Sequence, residues 1–188
     1  MTIVQCLNSL SGWLKDNVCS KILFKCPSDD RQATDYDFEL VHPQSFAMFI
    51  PGTDKLPPGV KSECPCVTVQ LMDGSDNLLK SNSSLNVRLC FLVWNPGVHP
   101  DENGMTEGYR RSADGWQDVW SFLERAVNDI ENAQYINGMR LRVEDGVQYG
   151  QFSKDGQVAD MYPYFYAWAT MTFERGIARP SSACSQFL

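Results

Sequence analysis

The chain has 188 residues, 43% of them hydrophobic and 21% charged, and a formal net charge of −7. That length fits one domain of ordinary globular composition. The acidic balance weighs against nucleic acid as a partner. The longest apolar runs fall short of a bilayer span and Met1-Thr2 opens without a signal-peptide pattern, so no membrane partner is expected.

The pattern is helical over residues 2–24. Ile3, Leu7, Leu10, Leu14 and Val18 form one stripe, with Cys6, Trp13 and Ile22 at its edges. Thr2 is placed to cap, Gly12 weakens the middle by about 1 kcal/mol relative to Ala, and Cys26-Pro27-Ser28-Asp29-Asp30 ends the helix. Tyr36, Phe38 and Leu40 alternate with Asp37, Glu39 and Val41 in a short strand that His42-Pro43 breaks. An apolar run at 46–50 leads into a loop near residues 51–65, punctuated by Pro51-Gly52, Pro57-Pro58-Gly59 and Pro65. Loops of that length are uncommon and often functional. Val67, Val69 and Leu71 alternate with Thr68 and Gln70 in a strand closed by Asp73-Gly74, and residues 73–84 read as polar loop.

Residues 85–94 make the strongest strand. Leu85, Val87, Leu89, Phe91 and Val93 form one face; the other begins with Asn86 and Arg88 and turns apolar at Cys90, Leu92 and Trp94. A strand that becomes apolar on both faces belongs in the middle of a sheet. Asn95-Pro96-Gly97 ends it, and a second long loop, near residues 95–111, follows. A helix is expected over 114–133, with Trp116, Val119, Trp120, Leu123, Ala126, Val127 and Ile130 on its apolar stripe. Asp114 and Gln117 fit a capping box, and Asn137-Gly138 offers the stop. Each large side chain on that stripe contributes roughly 1.5–3 kcal/mol on burial, so the helix must lie on a sheet. Phe122, about 100° off the stripe, is expected at the core edge or in a subunit contact.

Asp145-Gly146 signals a hairpin between 139–144 and 147–152, residues 153–160 read as another turn region, and a long last strand runs over 162–174. From about residue 176 a loose tail is expected. In the last strand Phe165, Ala167, Ala169, Met171 and Phe173 suit a helix-covered face. Tyr162, Tyr164, Tyr166 and Trp168 lie with Thr170 and Thr172 on the other face. Aromatic residues with polar tips suit a face that meets a partner, and equally a half-buried sheet face, since strands favour aromatics. The expected fold is therefore α/β and two-layered, a mixed β-sheet with two main helices packed on one face, in a single domain over 1–188.

Candidate chemistry is sparse. Seven cysteines at irregular spacing, three of them (Cys6, Cys19, Cys90) inside apolar elements, favour reduced thiols over a disulfide frame. Cys64-Pro65-Cys66 is too close for the usual zinc spacing. A Cys/His hydrolase would have to draw on His42 or His99, the only histidines, and no signature surrounds either. No catalytic residue, metal or cofactor is expected. Arg110-Arg111 and the Arg140, Arg142 pair are the only paired basic residues; the first pair is grouped with the partner surface, and no direct nucleic-acid binding is expected of either.

Six stretches carry a resemblance. They are Phe38-Glu39-Leu40-Val41-His42-Pro43, Lys55-Leu56-Pro57-Pro58-Gly59, Pro65-Cys66-Val67-Thr68-Val69-Gln70, Gly108-Tyr109-Arg110-Arg111, Gly115-Trp116-Gln117-Asp118-Val119-Trp120 and Tyr162-Pro163-Tyr164-Phe165-Tyr166-Ala167-Trp168. In order and spacing the chain resembles the tail terminator, or tail-completion, proteins of long-tailed bacteriophages and prophages. The resemblance implies a mixed sheet with helices packed on it, and a homo-oligomeric ring, commonly a hexamer. That ring closes the tail tube and presents a surface to the head-neck proteins, assembling in the bacterial host cytoplasm and ending in the virion. Tyr162, Tyr164, Tyr166, Trp168, Phe122, Arg110 and Arg111 are then the candidate subunit or partner surface. Another neck protein, a head-tail stopper or adaptor, is the nearest alternative, and a small cytosolic hydrolase a more distant one.

Overall fold

The computed structural model describes residues 1–27, 38–77, 82–99, 109–154 and 157–176. Outside them lie residues 28–30 of the first helix stop, Tyr36 and Asp37, residues 100–108 of the second long loop, residues 155–156, and the tail from 177 with Cys184.

Helix α1 (Ile3–Asn17) starts with a complete capping box: Gln5 N–H donates to Thr2 Oγ1 (3.2 Å) and Thr2 N–H to Gln5 Oε1 (2.8 Å). It is shorter than its pattern suggests. A 3₁₀ turn at Cys19–Lys21 follows, and then strand β1 (Phe24–Pro27), paired antiparallel with β2 (Phe38–Val41). The apolar period therefore runs on past the helix, because β1 and the 3₁₀ turn bury Cys19 and Cys26 as the helix buries its stripe.

The main sheet begins with β3 (Gln44–Ala47), parallel to β4 (Cys66–Asn77). β5 (Asn82–Trp94) follows, antiparallel to β4. Two small strands, β6 (Gly97–Val98) and β7 (Arg110–Arg111), pair with each other. After α2 (Gly115–Ala133) come β8 (Tyr135–Ile136), β9 (Met139–Leu141), β10 (Gln148–Gln151), β11 (Ser153–Lys154), β12 (Gln157–Val158) and β13 (Tyr164–Gly176). The sheet order is β3-β4-β5-β13-β9-β8, with β10 also on β13. One parallel pair and otherwise antiparallel pairs make it mixed. Helix α1 lies over β3 and β4, and α2 over β5 and β13, on the same face. The chain is thus a two-layer α/β structure with two helices on one side of a mixed sheet.

The central place of β5, between β4 and β13, matches its two-sided apolar character. The polar residues expected to form a loop at 73–84 instead prolong both strands: past a bulge between Leu71 and Asp73, pairing continues to Asn77 opposite Asn82. Residues 72–77 are exposed, so that extension has no apolar face to announce it. Asn137-Gly138 is the two-residue turn joining β8 to β9, with φ of 48° and 87°. Those positive angles are what a tight hairpin requires and what Asn-Gly supplies. The helix has already ended at Ala133. Asp145-Gly146, in turn, makes no hairpin. β9 and β10 each pair antiparallel with β13, Leu141 opposite Phe173 and Gln148 opposite Thr170. The intervening residues bulge outward as a 3₁₀ turn, Val143–Asp145.

Helix α2 is where the apolar stripe misleads most. Val119, Phe122, Leu123, Ala126 and Ile130 are buried, Trp120 and Val127 are half-buried, and Trp116 is 49% exposed. At 100° per residue the buried face is turned roughly 50° from the predicted one. Phe122, expected at the edge or in a subunit contact, has 0% exposure. Its ring stands edge-on to Phe91 (centroids 5.0 Å) and tilted against Phe24 (5.3 Å). Three aromatic rings meeting under the helix outweigh the count of apolar residues on its Trp side. The capping box at Asp114 does not form either. Asp114 is itself in the αR region, Ser112 Oγ donates to its carboxylate (2.5 Å), and Gln117 N–H is met by the Asp114 carbonyl (2.9 Å).

Phe122→Ala is expected to cost about 3–5 kcal/mol, as for truncation of a fully buried aromatic, and Trp116→Ala under about 1 kcal/mol. Urea denaturation of the two variants checks this. Equal losses would contradict the observed rotation of α2.

Candidate functional site

The sheet face opposite the helices carries the aromatic row of β13. By register, its upper part holds Cys66, Leu92, Trp94, Tyr164 and Tyr166, and its lower part Gln70, Arg88, Thr170, Asn86 and Thr172. The upper part is roofed by the chain itself. Phe46, Cys64, Cys66, Leu92 and Trp94 form a second small core, against which Phe38, Leu56, Tyr164 and Tyr166 pack. The long proline-punctuated loop at 51–65 supplies Leu56 and Cys64, so its first role is to cover this half-face. Burial there pushes the Tyr166 phenol above its ordinary range.

The remaining aromatic candidates are individually tethered. Trp168 lies under the Arg88 guanidinium (5.4 Å to its ring) and donates from Nε1 to the Gln151 carbonyl (3.1 Å). Gly150 lies against its ring; a Cβ there would stand 2.9 Å from Trp168 Cζ2. The Tyr162 and Tyr109 hydroxyls both donate to the Pro96 carbonyl (2.5 Å each) and lie 2.9 Å apart, with the Arg111 guanidinium stacked 3.9 Å over the Tyr162 ring. Arg110 and Arg111 are exposed on β7. Phe122, in the core, takes no part in any surface. Arg140 and Arg142 are ion-paired, with Glu174 for both (4.0 and 3.7 Å) and Asp145 for Arg142 (3.3 Å).

A polar corner adjoins this tether. The Lys25 ammonium donates to Gly97 O (2.5 Å), Asn95 Oδ1 (3.3 Å) and His99 Nδ1 (3.2 Å), and Asn95 Nδ2 donates to Asp118 (2.6 Å). Burial draws the Lys25 pKa down, against the opposing pull of Asp118. Accepting from an ammonium leaves His99 with its proton on Nε2.

The other histidine borders a hollow that also contains Cys26 and Cys64. Its Nδ1 donates to the carbonyls of Ile22 (2.7 Å) and Cys19 (3.2 Å), not to a thiol. The thiols nearby are held in their neutral form. Burial raises Cys19 and Cys66 to about 12, and raises Cys64 further, with Cys66 and Cys26 adding to it. A nucleophilic cysteine needs the opposite, a thiolate stabilised by an electropositive setting. Among the described residues no group of three or more His, Cys, Asp or Glu is placed to hold a metal ion, and no helix is long and apolar enough to cross a membrane.

Two exposed features were not singled out in the sequence. Phe49, just past β3, is 74% exposed. At the far side of the sheet, Tyr149, Phe152, Val158 and Met161 join Trp116 as exposed apolar residues around two hollows of about 450 and 280 Å³ between α2 and the β10 segment. The sequence signal for Phe49 is an apolar run, 46–50, of which the strand, ending at Ala47, takes only the first two residues. No family model matches the chain, and no curated protein matches it.

Because Cys19 and Cys66 titrate near 12 when folded and near 9.0 when exposed, the folded state holds their protons more tightly. Their stabilisation is complete below pH 9 and is lost as pH rises toward 12. Denaturant titrations should show stability falling above pH 9 by up to about 1.4 kcal/mol per pH unit for each such thiol. The slope should lessen in a Cys19→Ala, Cys66→Ala double variant, and a pH-independent stability would contradict the burial of these groups.

Proposed function

We propose that this chain is a structural protein of phage assembly, a tail terminator that closes the tail tube as a ring and offers a surface to the head-neck proteins. The observation that carries the reading is architectural. The order of motifs resembles tail terminators, and the resemblance implies a mixed sheet with helices packed on it, an architecture with which this chain is consistent. Supporting it, the loop at 51–65 covers half of the opposite face from within, which leaves the sheet edges and the lower face for partners. The thiols and His42 are tied in ways that suit packing rather than catalysis.

On this reading the job is done by shape. A ring that ends a tube needs one heterologous contact, repeated with a rotation that closes, and each contact should bury at least on the order of 1,000 Å². Chemistry at a single side chain is not required.

Native mass spectrometry should give a species of several chain masses, with six as the expected number. Deleting the gene from the phage or prophage that encodes the chain should leave heads unjoined and tails of abnormal length, restored when the chain is supplied in trans. Unjoined tails of normal length would point instead to a stopper or adaptor. Normal, joined particles without the protein would overturn the reading.

A further inference from the structure

We infer that copies of this chain associate head to tail through opposite edges of the sheet, with Phe49 of one copy entering the hollow beside Tyr149 of the next. The contact stands on the sheet edges alone; only its closure into a ring rests on the function proposed above.

The knob is built by strain. Phe49 N–H donates back to the Ala47 carbonyl (2.9 Å), closing a γ-turn around Met48, whose φ is 66°. Such a turn is rare and costly for a residue with a side chain. It is held from both sides: Met48 N–H donates to the Val69 carbonyl (2.8 Å) and its sulfur accepts from Leu71 N–H (3.4 Å). The result of holding this turn is to place a phenyl ring in water at 74% exposure, followed by the exposed Ile50.

The socket lies on the opposite edge at the same level. Register runs Ala47–Val69–Leu89–Ala169–Tyr149 straight across the sheet, from the strand that precedes Phe49 to β10. There Trp120 stands edge-on to Tyr149 (5.9 Å) beside a hollow of about 450 Å³. Tyr149 is exposed beside it, and Trp116, Phe152, Val158 and Met161 are each about half exposed around the second hollow, of about 280 Å³, along the same α2 and β10 segments. Together the five present on the order of 500 Å² of apolar surface, the size of the largest patch on a typical monomer and often a functional one. Interfaces are about 57% apolar, so a patch of this size corresponds to roughly 850 Å² per copy, the size of a stable pair. The larger hollow's rim carries Glu124 and Glu131, and the turn that follows the knob carries the exposed pair Asp54 and Lys55, so the apolar area and the knob, rather than charge, select the occupant. A second copy is the favoured occupant because this chain itself carries the complementary knob. Knob and socket on opposite edges cannot satisfy each other within one copy, and a two-fold pair would leave the geometry unmatched; the contact is heterologous.

The test uses the full chain, with Phe49→Ser removing the knob and Tyr149→Arg blocking the socket. Both positions are exposed, and thermal melts show whether each variant folds. Sedimentation across a concentration series should find wild type assembled, and each variant dissociating at a concentration at least about tenfold higher, as for loss of a central interface residue. The two variants mixed have one intact contact between them, so they should form a mixed pair and nothing larger. Wild type that stays monomeric, a folded Phe49→Ser chain that assembles like wild type, or a mixture that grows beyond the pair would each overturn the inference. A chain that assembles through Phe49 but whose deletion leaves tails normal would remove the tail reading and leave this contact standing.

Discussion

The meeting of Phe122 with Phe91 and Phe24 decides where everything in the helix layer sits. Phe91 belongs to the central strand, Phe24 to the small strand that follows the first helix, and Phe122 to the second helix, so one aromatic cluster joins three parts of the chain. Edge-to-face rings contribute about 0.5–1.5 kcal/mol beyond their buried area. Seating Phe122 there rolls α2, and the roll lifts Trp116 out of the core and leaves Trp120 half-covered against Tyr149. The apolar hollow at the sheet edge is thus the other side of a well-made core.

The two faces of the sheet are treated differently. The helix face is covered by α1 over β3 and β4 and by α2 over β5 and β13. The opposite face is closed only where the proline-punctuated loop lies over Leu92 and Trp94. Below that point it is a field of hydroxyls, amides and the Arg88–Trp168 stack. The sheet edges differ again: one ends in a strained turn bearing an aromatic ring, the other in a hollow lined by aromatics. A molecule with one roofed face, one half-open face and two unlike edges has directional surfaces, which is what repeated, oriented association demands.

Much of the layering was legible in the residues. The strand at 85–94 announced its central place by being apolar on both faces, and its change from Asn86 and Arg88 to Leu92 and Trp94 marked where the roof begins. The Thr2 cap and the Ala-rich face of β13 were equally plain. What escaped did so for physical reasons. The strand extension past Leu71 is polar on both faces, because its stability comes from pairing with β5 rather than from burial. Asn137-Gly138 suits a helix stop and a hairpin turn alike, since both need positive φ, and only the partner strand decides. The periodicity of α2 counted two tryptophans as core, but tertiary contact with Phe91 chose the neighbouring face. The candidate surface fared unevenly for the same reason: tyrosines with free hydroxyls in the sequence find the Pro96 carbonyl in the fold. Phe49 could not be distinguished from a buried strand residue without knowing that its strand stops at Ala47.

The position of β13 carries a consequence for how the protein comes into being. It is the last element of the described chain, yet it lies inside the sheet, between β5 on one side and β9 and β10 on the other. Its Ala167, Ala169, Met171 and Phe173 form the floor on which α2 rests. Until those residues have left the ribosome, β5 has an open edge and α2 has no complete surface to lie on. Contacts this distant in sequence form slowly, and chains with exposed strand edges are prone to wrong pairing while they wait. Closing of this sheet therefore waits until β13 has been made. A product cut short before β13 would lack the middle of its sheet rather than a dispensable end.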